Sequence, residues 1–394
     1  MDHDEHRDRI VTQGGRLFTN AKHASSADAL DAYVSSFAPS PDHLDFARFS
    51  PPSLPVVEAA SAFWADAALG DVDEGAEDAR TREAVARLTG FAAADVSLVP
   101  STSLGLFHVA FALRGADVLI SRGEFPANLY PWWRAAELGI LRVRDMPGER
   151  LTAPVTPERI AAALTPTTTA VAVSAVDFRT GWRADLAGVR AVMGDRLLIV
   201  DAIQAAGAVD MPWHHADVLI AGGQKWLRAG WGTGFVAASP RALGAMVPRL
   251  SGWTGVERVS GYDGVPHPVV GGARHLGLTN GSPASARMLA TALELIDRVG
   301  VPAIESRISD RVDLLLAGLD EAGIDVVSPR RHPDRAGIVV ARWSDGSAAD
   351  RWRRLRDHGI RATLHGPDRL RFSVHATTEP GALERAVSIV RGDR

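Results

Sequence analysis

The sequence contains no cysteine, which excludes disulfide bonds, thiolate metal sites and cysteine nucleophiles. It also lacks any block of basic residues, and its formal net charge of −4 gives no reason to expect a nucleic-acid surface. No run approaches the roughly 20 apolar residues of a membrane span, and the charged start MDHDEHRDRI has no apolar core typical of a secretory signal. His214 and His215 have no partner at metal-ligand spacing, so we predict no metal site. We expect a cytoplasmic protein that binds neither nucleic acid nor membrane.

Lysine is almost absent, because only Lys22 and Lys225 stand among the 43 basic residues and arginine supplies the rest. Arginine stays protonated and is a poor imine former, whereas a buried lysine can lose its proton and attack an aldehyde. Lys225 lies in the turn Gly-Gly-Gln-Lys-Trp, flanked by small and aromatic residues. The alternative interpretation, a surface lysine after a strand, is disfavoured by these uncharged flanks. Lys225 is therefore the best candidate for a covalent anchor.

Short apolar runs alternate with helical stretches between residues 96 and 238. This alternation predicts an α/β fold with a mostly parallel, doubly wound central sheet. The predicted strands are 96–99, 117–121, 141–144, 170–176, 197–200, 218–221 and 234–238, with helices at 104–113, 129–138 and 157–164 between the first four. Upstream we predict helices at 27–37, 56–68 and 79–88, another helix before residue 27, and an acidic loop at 71–76.

The tail mixes helices and strands and predicts a smaller α+β domain. Helices are predicted at 289–299, 304–322, 348–358 and 380–390, and strands at 337–342 and 370–374. We therefore divide the chain into an N-terminal segment (1–50) that joins the smaller domain, a large domain (51–285) and a small C-terminal domain (286–394).

Two predicted strands end on groups that suit one cofactor. Asp201 closes one apolar run and Lys225 follows the next, so both are expected at neighbouring carboxyl ends, where open α/β sheets bind ligands. An amine that forms a Schiff base and a carboxylate that keeps a ring nitrogen protonated are what pyridoxal phosphate needs. A single aspartate at a strand end is otherwise often only a cap.

Other residues near these strand ends could serve the same cofactor or its substrate. Thr102 and Ser103 start a helix, where hydroxyls and free N–H groups seat a phosphate, although they are also ordinary capping residues. Phe125 could stack on a flat ring or pack in the core. Gln204 could hydrogen-bond a phenolic oxygen or be solvated. Arg371 lies in an apolar strand and could bind a substrate carboxylate, as could other arginines of the tail.

Together these residues resemble the class V aminotransferases, a fold-type-I family of pyridoxal-phosphate enzymes that includes cysteine desulfurases, kynureninases and isopenicillin N epimerase-like proteins. The resemblance covers residues 43–390. It implies the following roles: Lys225 as the lysine of the aldimine, Asp201 at the pyridine nitrogen, Gln204 at the phenolate oxygen, Gln224 in the cofactor site beside the lysine, Thr102 and Ser103 at the phosphate, Phe125 stacked on the ring and Arg371 at the substrate carboxylate. Ser282, in Gly-Ser-Pro, resembles the segment that completes a partner subunit's phosphate site, which implies a homodimer.

The resemblance also narrows the activity. A cysteine desulfurase needs a cysteine, which this chain lacks, and a kynureninase usually has tyrosine where Gln224 stands. The expectation is a class V aminotransferase acting on a small amino acid, with a kynureninase-like C–C or C–S lyase or an amino-acid epimerase as alternatives. The segment from Glu124 to Tyr130 is similar to kynureninases and supports the lyase. A nicotinamide enzyme is disfavoured because no G-x-G-x-x-G follows an early strand, and a non-catalytic protein that binds pyridoxal phosphate is the remaining alternative.

Overall fold

A seven-stranded sheet is the larger of two sheets in the molecule. The structure, a computed structural model, describes residues 26–148, 151–247 and 250–392. The strand order is β1 (Val96–Leu98), β7 (Gly234–Ala238), β6 (Val218–Gly222), β5 (Leu197–Asp201), β4 (Ala170–Ser174), β2 (Asp117–Ile120) and β3 (Arg142–Asp145). Strands β2 to β6 run parallel, and β7 is antiparallel to both neighbours. The predicted mostly parallel sheet is confirmed.

Both faces of this sheet are buried, which explains why its strands are continuous apolar runs. In β5, Ile199 packs in one apolar cluster with α4 (Thr102–Ala112) and α5 (Tyr130–Glu137). Leu198 and Val200 point the other way, into a second cluster with α6 (Pro157–Ala163) and α7 (Leu186–Met193). The helices thus hold the strand ends, and the side chains they carry, in fixed positions.

Helix α4 packs tightly on the sheet at Gly105. A Cβ added there would lie 2.7 Å from Ile220 Cγ2 and 2.8 Å from Val236 Cγ2. We expect Gly105→Ala to destabilise the protein by about 1–3 kcal/mol through overpacking, as measured by urea unfolding. Gly244→Ala is the control, because its helical site has no atom within 4 Å of the added Cβ. An equal unfolding midpoint for the two variants would contradict the tight contact.

The second sheet is antiparallel and smaller, in the order β10 (Thr363–His365), β11 (Arg369–Ser373), β9 (Ile338–Arg342) and β8 (Asp325–Val326). Helices α10 (Val301–Glu321), α11 (Ala348–Asp357) and α12 (Pro380–Arg391) accompany it, as expected for an α+β unit. The predicted boundary after residue 285 falls inside α9 (Pro283–Val299), which packs against α2 (Leu54–Ala68) and α3 (Glu74–Thr89). The domain boundaries remain predictions.

The described part of the N-terminal segment lies against the smaller sheet. Helix α1 (Ser26–Ser35) overlaps the second predicted helix, whereas the first predicted helix and Lys22 lie outside the described residues. After α1, the Leu44 N–H donates to Arg361 O at 2.9 Å, and the Ser373 N–H donates to Leu44 O at 2.8 Å. These bonds place residues 42–47 alongside the end of β11.

The prediction of a loop over residues 71–76 is wrong, because α3 already begins at Glu74. The Asp73 carboxylate accepts a hydrogen bond from the Ala76 N–H at 2.9 Å and caps the helix. Glu74 and Glu77 in the first turn add favourable interactions with the helix dipole. The acidic composition that indicated a loop is therefore a helix start.

Candidate active site

Strands β4, β5 and β6 bring the acid and the amine to one edge of the sheet. Asp201 is the last residue of β5, and Lys225 follows the end of β6 at Gly222. The turn is tight, because the Gly223 N–H donates to Thr233 O at 2.9 Å and a Cβ at Gly223 would collide with Thr233 Oγ1. The predicted juxtaposition of Asp201 and Lys225 therefore follows from strand order and this glycine turn.

Burial brings the two groups toward neutral charge. Lys225 is 9% exposed and Asp201 is 3% exposed. Burial lowers the pKa of Lys225 to about 8, an effect that Arg371 reinforces and the carboxylates of Asp201 and Asp45 oppose. Burial raises the pKa of Asp201 to about 6, while a hydrogen bond from the Ile203 N–H and the Lys225 charge act against it. A lysine with this pKa has an appreciable neutral, nucleophilic fraction at neutral pH.

Phe125 lies beside the lysine instead of in the core. Its ring is 41% exposed, and Lys225 Nζ is 5.3 Å from the ring centroid. The Phe178 ring packs edge-on against it, with centroids 5.0 Å apart. Phe125 is therefore placed where a flat cofactor above Lys225 could stack on it.

Two polar side chains, those of Thr102 and Gln224, lie close to Gly222 near the start of α4. The Thr102 hydroxyl is buried and finds no hydrogen-bond partner among the described residues. A Cβ added at Gly222 would lie 3.1 Å from Thr102 Oγ1 and 2.5 Å from Gln224 Oε1. An unpartnered hydroxyl, a side-chain amide and a helix N-terminus close to one glycine are groups that suit a phosphate. Ser103 is exposed in the first turn of the same helix.

Gln204 is buried, and its amide already has two partners. Its Nε2 donates to Ala47 O at 3.0 Å, and its Oε1 accepts from Trp226 Nε1 at 2.8 Å. These bonds tie the N-terminal segment to the lysine loop. One amide hydrogen remains for the phenolate contact predicted from the sequence.

Arg371 enters the same region from the smaller sheet. It is 6% exposed, and its Nη1 donates to Phe178 O at 3.3 Å. Its Nη2 donates to Thr363 Oγ1 at 3.2 Å and to Asp45 Oδ1 at 3.5 Å. Its Nε is buried and finds no acceptor in the part of the chain that the structure describes. Burial lowers the pKa of Arg371, and Asp45 opposes that shift.

Ser282 lies elsewhere. It is exposed and caps α9, where its hydroxyl accepts from the Ser285 N–H at 3.2 Å. It lines a cavity of about 520 Å³ between β1, α3 and the loop before α9, and neither Lys225 nor Asp201 lines that cavity. Its predicted place in a partner subunit's site remains a prediction.

The model of the family described as Aminotransferase class-V matches residues 72–369, which is most of the chain. The chain belongs to the class V aminotransferases. Among curated relatives, the class V chain is similar to "Uncharacterized aminotransferase YcbU" of Bacillus subtilis (strain 168), with 30% identity over 246 residues. That match covers 60% of the chain and 62% of YcbU, less than two thirds of its length. A kynureninase of Pseudomonas fluorescens is 26% identical over 78% of the chain and 75% of that enzyme.

Solved structures of low sequence identity share the fold. A cysteine desulfurase from Thermococcus onnurineus NA1 has a TM-score of 0.77 at 22% identity, covering 89% of this chain and 93% of that one. The cystine C-S lyase C-DES, in complex with its product cysteine persulfide, has a TM-score of 0.80 at 21% identity and covers 90% and 98%. The class V chain therefore has the fold-type-I architecture expected from its sequence.

Family membership confirms the predicted cofactor, and the class V chain is a pyridoxal-phosphate-dependent enzyme. The residues present fit the group, because a buried primary amine, a buried carboxylate and an unpartnered hydroxyl beside a helix start lie at one sheet edge. Over the described residues, no cluster of acidic or histidine side chains could hold a metal ion, and no helix has the length and apolarity to cross a membrane.

Sequence reasoning missed a buried acid next to the stacking ring. Glu124 accepts hydrogen bonds from the Ser174 N–H at 3.0 Å and from Asn128 Nδ2 at 3.1 Å, and it also bonds the Ser174 hydroxyl. Burial raises its pKa to about 7, and the nearby Asp177 adds to the shift. These bonds fix the Phe125 loop on the end of β4. In the sequence, a glutamate beside Gly and Pro has no feature that distinguishes it from a solvated one.

Proposed function

We propose that this class V enzyme is an amino-acid aminotransferase in which Lys225 is the covalent anchor of pyridoxal phosphate. The observation that supports this proposal most strongly is the buried pair of Lys225 and Asp201 at neighbouring strand ends. Arg371 supplies a partner for a substrate carboxylate. Thr102 and Gln224, which lie close to Gly222, supply partners for a phosphate.

Each residue would hold one part of the cofactor. Pyridoxal phosphate supplies an aldehyde that joins an amine and a ring that accepts electrons from a breaking Cα bond. Thr102, Ser103 and Gln224 hold the phosphate at the start of α4. Asp201 keeps the ring nitrogen protonated, since a carboxylate favours the charged form of a nearby base. Phe125 covers one ring face, and the free amide hydrogen of Gln204 donates to the phenolate oxygen.

Lys225 and Arg371 would act on the amino-acid substrate. Arg371 binds the α-carboxylate through charge-assisted hydrogen bonds and so fixes which Cα bond faces the amine. Lys225 would take the proton from Cα of the bound amino acid at its Nζ. Epimerisation would instead require delivery of a proton to Cα from the face opposite Lys225.

A lyase is the second candidate. It is favoured by the similarity to the Pseudomonas kynureninase across three quarters of that enzyme and by the loop that carries Phe125. An amino-acid panel analysed by mass spectrometry tests both activities. Formation of a keto acid in proportion to an amino acceptor supports the aminotransferase, whereas an eliminated or cleaved side chain without an acceptor supports the lyase. Turnover of no amino acid by enzyme loaded with unreduced pyridoxal phosphate would refute both.

The pH dependence of cofactor attachment tests the state of Lys225. Because a protonated amine does not attack an aldehyde, the rate of reconstitution is expected to rise with pH and to level off above about 8, following the lowered pKa of Lys225. Arg371→Met removes a charge that lowers this pKa, so its midpoint should move to higher pH. Absorbance after mixing with pyridoxal phosphate reports the rate. A rate that still rises at pH 10 would show that the pKa of the Lys225 amine is not lowered.

The role of Arg371 is tested by substrate binding. Arg371→Ala is expected to weaken amino-acid binding by about 2–5 kcal/mol, the cost of leaving a desolvated charge unpaired. The control is Arg369→Ala, an arginine of the same strand that pairs with Asp368 at 3.2 Å. Spectral titration with amino acids measures both. If the two variants lose the same affinity, Arg371 has no special contact with the substrate.

We also propose a cytoplasmic homodimer in which Ser282 of each subunit contacts the phosphate of the other. The support is the Gly-Ser-Pro sequence and the exposure of Ser282 at the helix start. Sedimentation should give twice the 42.0 kDa chain mass; a monomer with full activity would refute the shared site.

A further inference from the structure

The guanidinium of Arg371 is already paired with a carboxylate of the same chain. The Asp45 carboxylate is 3.5 Å from Arg371 Nη2, and the exposed fractions of the two side chains are only 9% and 7%. Thr363 Oγ1 bridges the pair, donating to Asp45 Oδ1 at 2.7 Å and accepting from Arg371 Nη2 at 3.2 Å. Asp45 is held there by its backbone, because it bridges to Ser373 in β11.

The Asp45 carboxylate contacts Arg371 Nη2, the nitrogen that a substrate carboxylate would also need. A guanidinium binds a carboxylate in bidentate fashion along one of two edges, Nη1 with Nη2 or Nε with Nη2. Both edges include Nη2. In Arg371, Nη2 already lies within hydrogen-bond distance of both Asp45 Oδ1 and Thr363 Oγ1. Nε is free and buried, so the Nε–Nη2 edge is half available.

Resting on the function proposed above, we propose that Asp45 is a specificity-determining residue that occupies the substrate-carboxylate edge of Arg371 and is displaced when an amino acid binds. The contact to be displaced is the weakest at the guanidinium, because 3.5 Å is long for a charge-assisted hydrogen bond, whereas the Thr363 bridge is shorter. Only a ligand with its own anionic group can compensate Arg371 for the loss of Asp45. The site therefore selects against amines that lack a carboxylate.

Competition and a purely orienting role predict opposite changes in substrate affinity when the charge of Asp45 is removed. Asp45→Asn keeps the size and one acceptor oxygen for Thr363 but removes the competing charge. If Asp45 competes, L-alanine should bind the cofactor-loaded variant about tenfold more tightly, within the usual range of coupling between two ligands of one site. L-Alaninamide, which has no carboxylate, should bind wild type and variant equally. If Asp45 only orients Arg371, the variant should bind L-alanine more weakly.

A matched control and a second measurement complete the test. Asp42→Asn removes a carboxylate from the same segment, but Asp42 is half-exposed and pairs with Arg385 at 2.7 Å, so both affinities should be unchanged. Unfolding of the full-length chains without added cofactor is compared in sodium acetate and in sodium chloride of equal ionic strength. Acetate should raise the unfolding midpoint of Asp45→Asn and not that of wild type, because only the variant leaves Arg371 open to an added carboxylate.

The outcomes separate the two proposals. An absent borohydride-trapped adduct at Lys225 in wild type refutes the proposed function, and the acetate comparison still decides the role of Asp45. With the adduct present, unchanged or weaker L-alanine binding by Asp45→Asn overturns the competition, as does an equal gain for L-alaninamide. An acetate effect that is the same in wild type and variant would overturn it independently of the cofactor.

Discussion

Replacing Lys225 by alanine is expected to abolish the borohydride-trapped adduct and to lower turnover by about 10³-fold or more, since general base catalysis alone contributes roughly 10²–10⁴-fold. In the proposed mechanism two functions would be lost together, because the same Nζ would anchor the cofactor and move the Cα proton. The buried position of Lys225, with its pKa lowered to about 8, is what permits both.

The scarcity of lysine makes this experiment unusually clear. Lys22 is the only other lysine of the chain, so a trapped adduct can lie on one of two side chains only, and peptide mass spectrometry distinguishes them. Lys22→Ala is the matched control and should keep both adduct and activity. An adduct that persists in Lys225→Ala, on Lys22, would refute the assignment.

Asp201→Asn is expected to leave the covalent link intact and to slow turnover by about 10²–10³-fold, the range for removing one preorganised electrostatic group. The neutral amide cannot keep the ring nitrogen protonated, so the ring accepts electrons poorly. Removing the Asp201 charge should also lower the pKa of Lys225 further, because that carboxylate opposes the effect of burial on the amine.

Two measurements separate the effects of Asp201→Asn. Cofactor attachment followed against pH should show its midpoint shifted below that of wild type, while single-turnover rates fall. Asp217→Asn provides the control, as a buried carboxylate that pairs with Arg190 and Arg241 instead of with the site. Unchanged turnover in Asp201→Asn would remove this carboxylate from the mechanism.

The centre of the site was predictable because its signals are local. Asp201 ends an apolar strand and Lys225 sits in a glycine turn after the next, and parallel strands bring such ends together without further information. The sheet was predictable for the same reason, since continuous apolar runs alternate with helices. The reversed direction of β7 escaped the pattern, which carries no strand direction.

The periphery of the site was not predictable, because it depends on contacts between distant residues. Asp45 meets Arg371 across 326 positions, and the sequence of its apolar flanks gives no indication of that partner. Gln204 was expected at the cofactor, yet its amide spans Ala47 and Trp226. The polar group beside Gly222 became evident only when the turn brought the Gln224 amide next to Thr102.

The pairing of residues 42–47 with β11 bears on how the protein is made. Synthesis proceeds from the N-terminus, and domains generally fold as they emerge. Here the segment that carries Asp45 must wait for Ser373, which is synthesised after every strand of the large sheet, before its backbone bonds can form. A ribosome-bound chain can therefore complete the large sheet, with Lys225 and Asp201 in place, before Asp45 and Arg371 have come together. The Asp45–Arg371 pair, and any selection of substrates that depends on it, is thus acquired only after β11 has been synthesised.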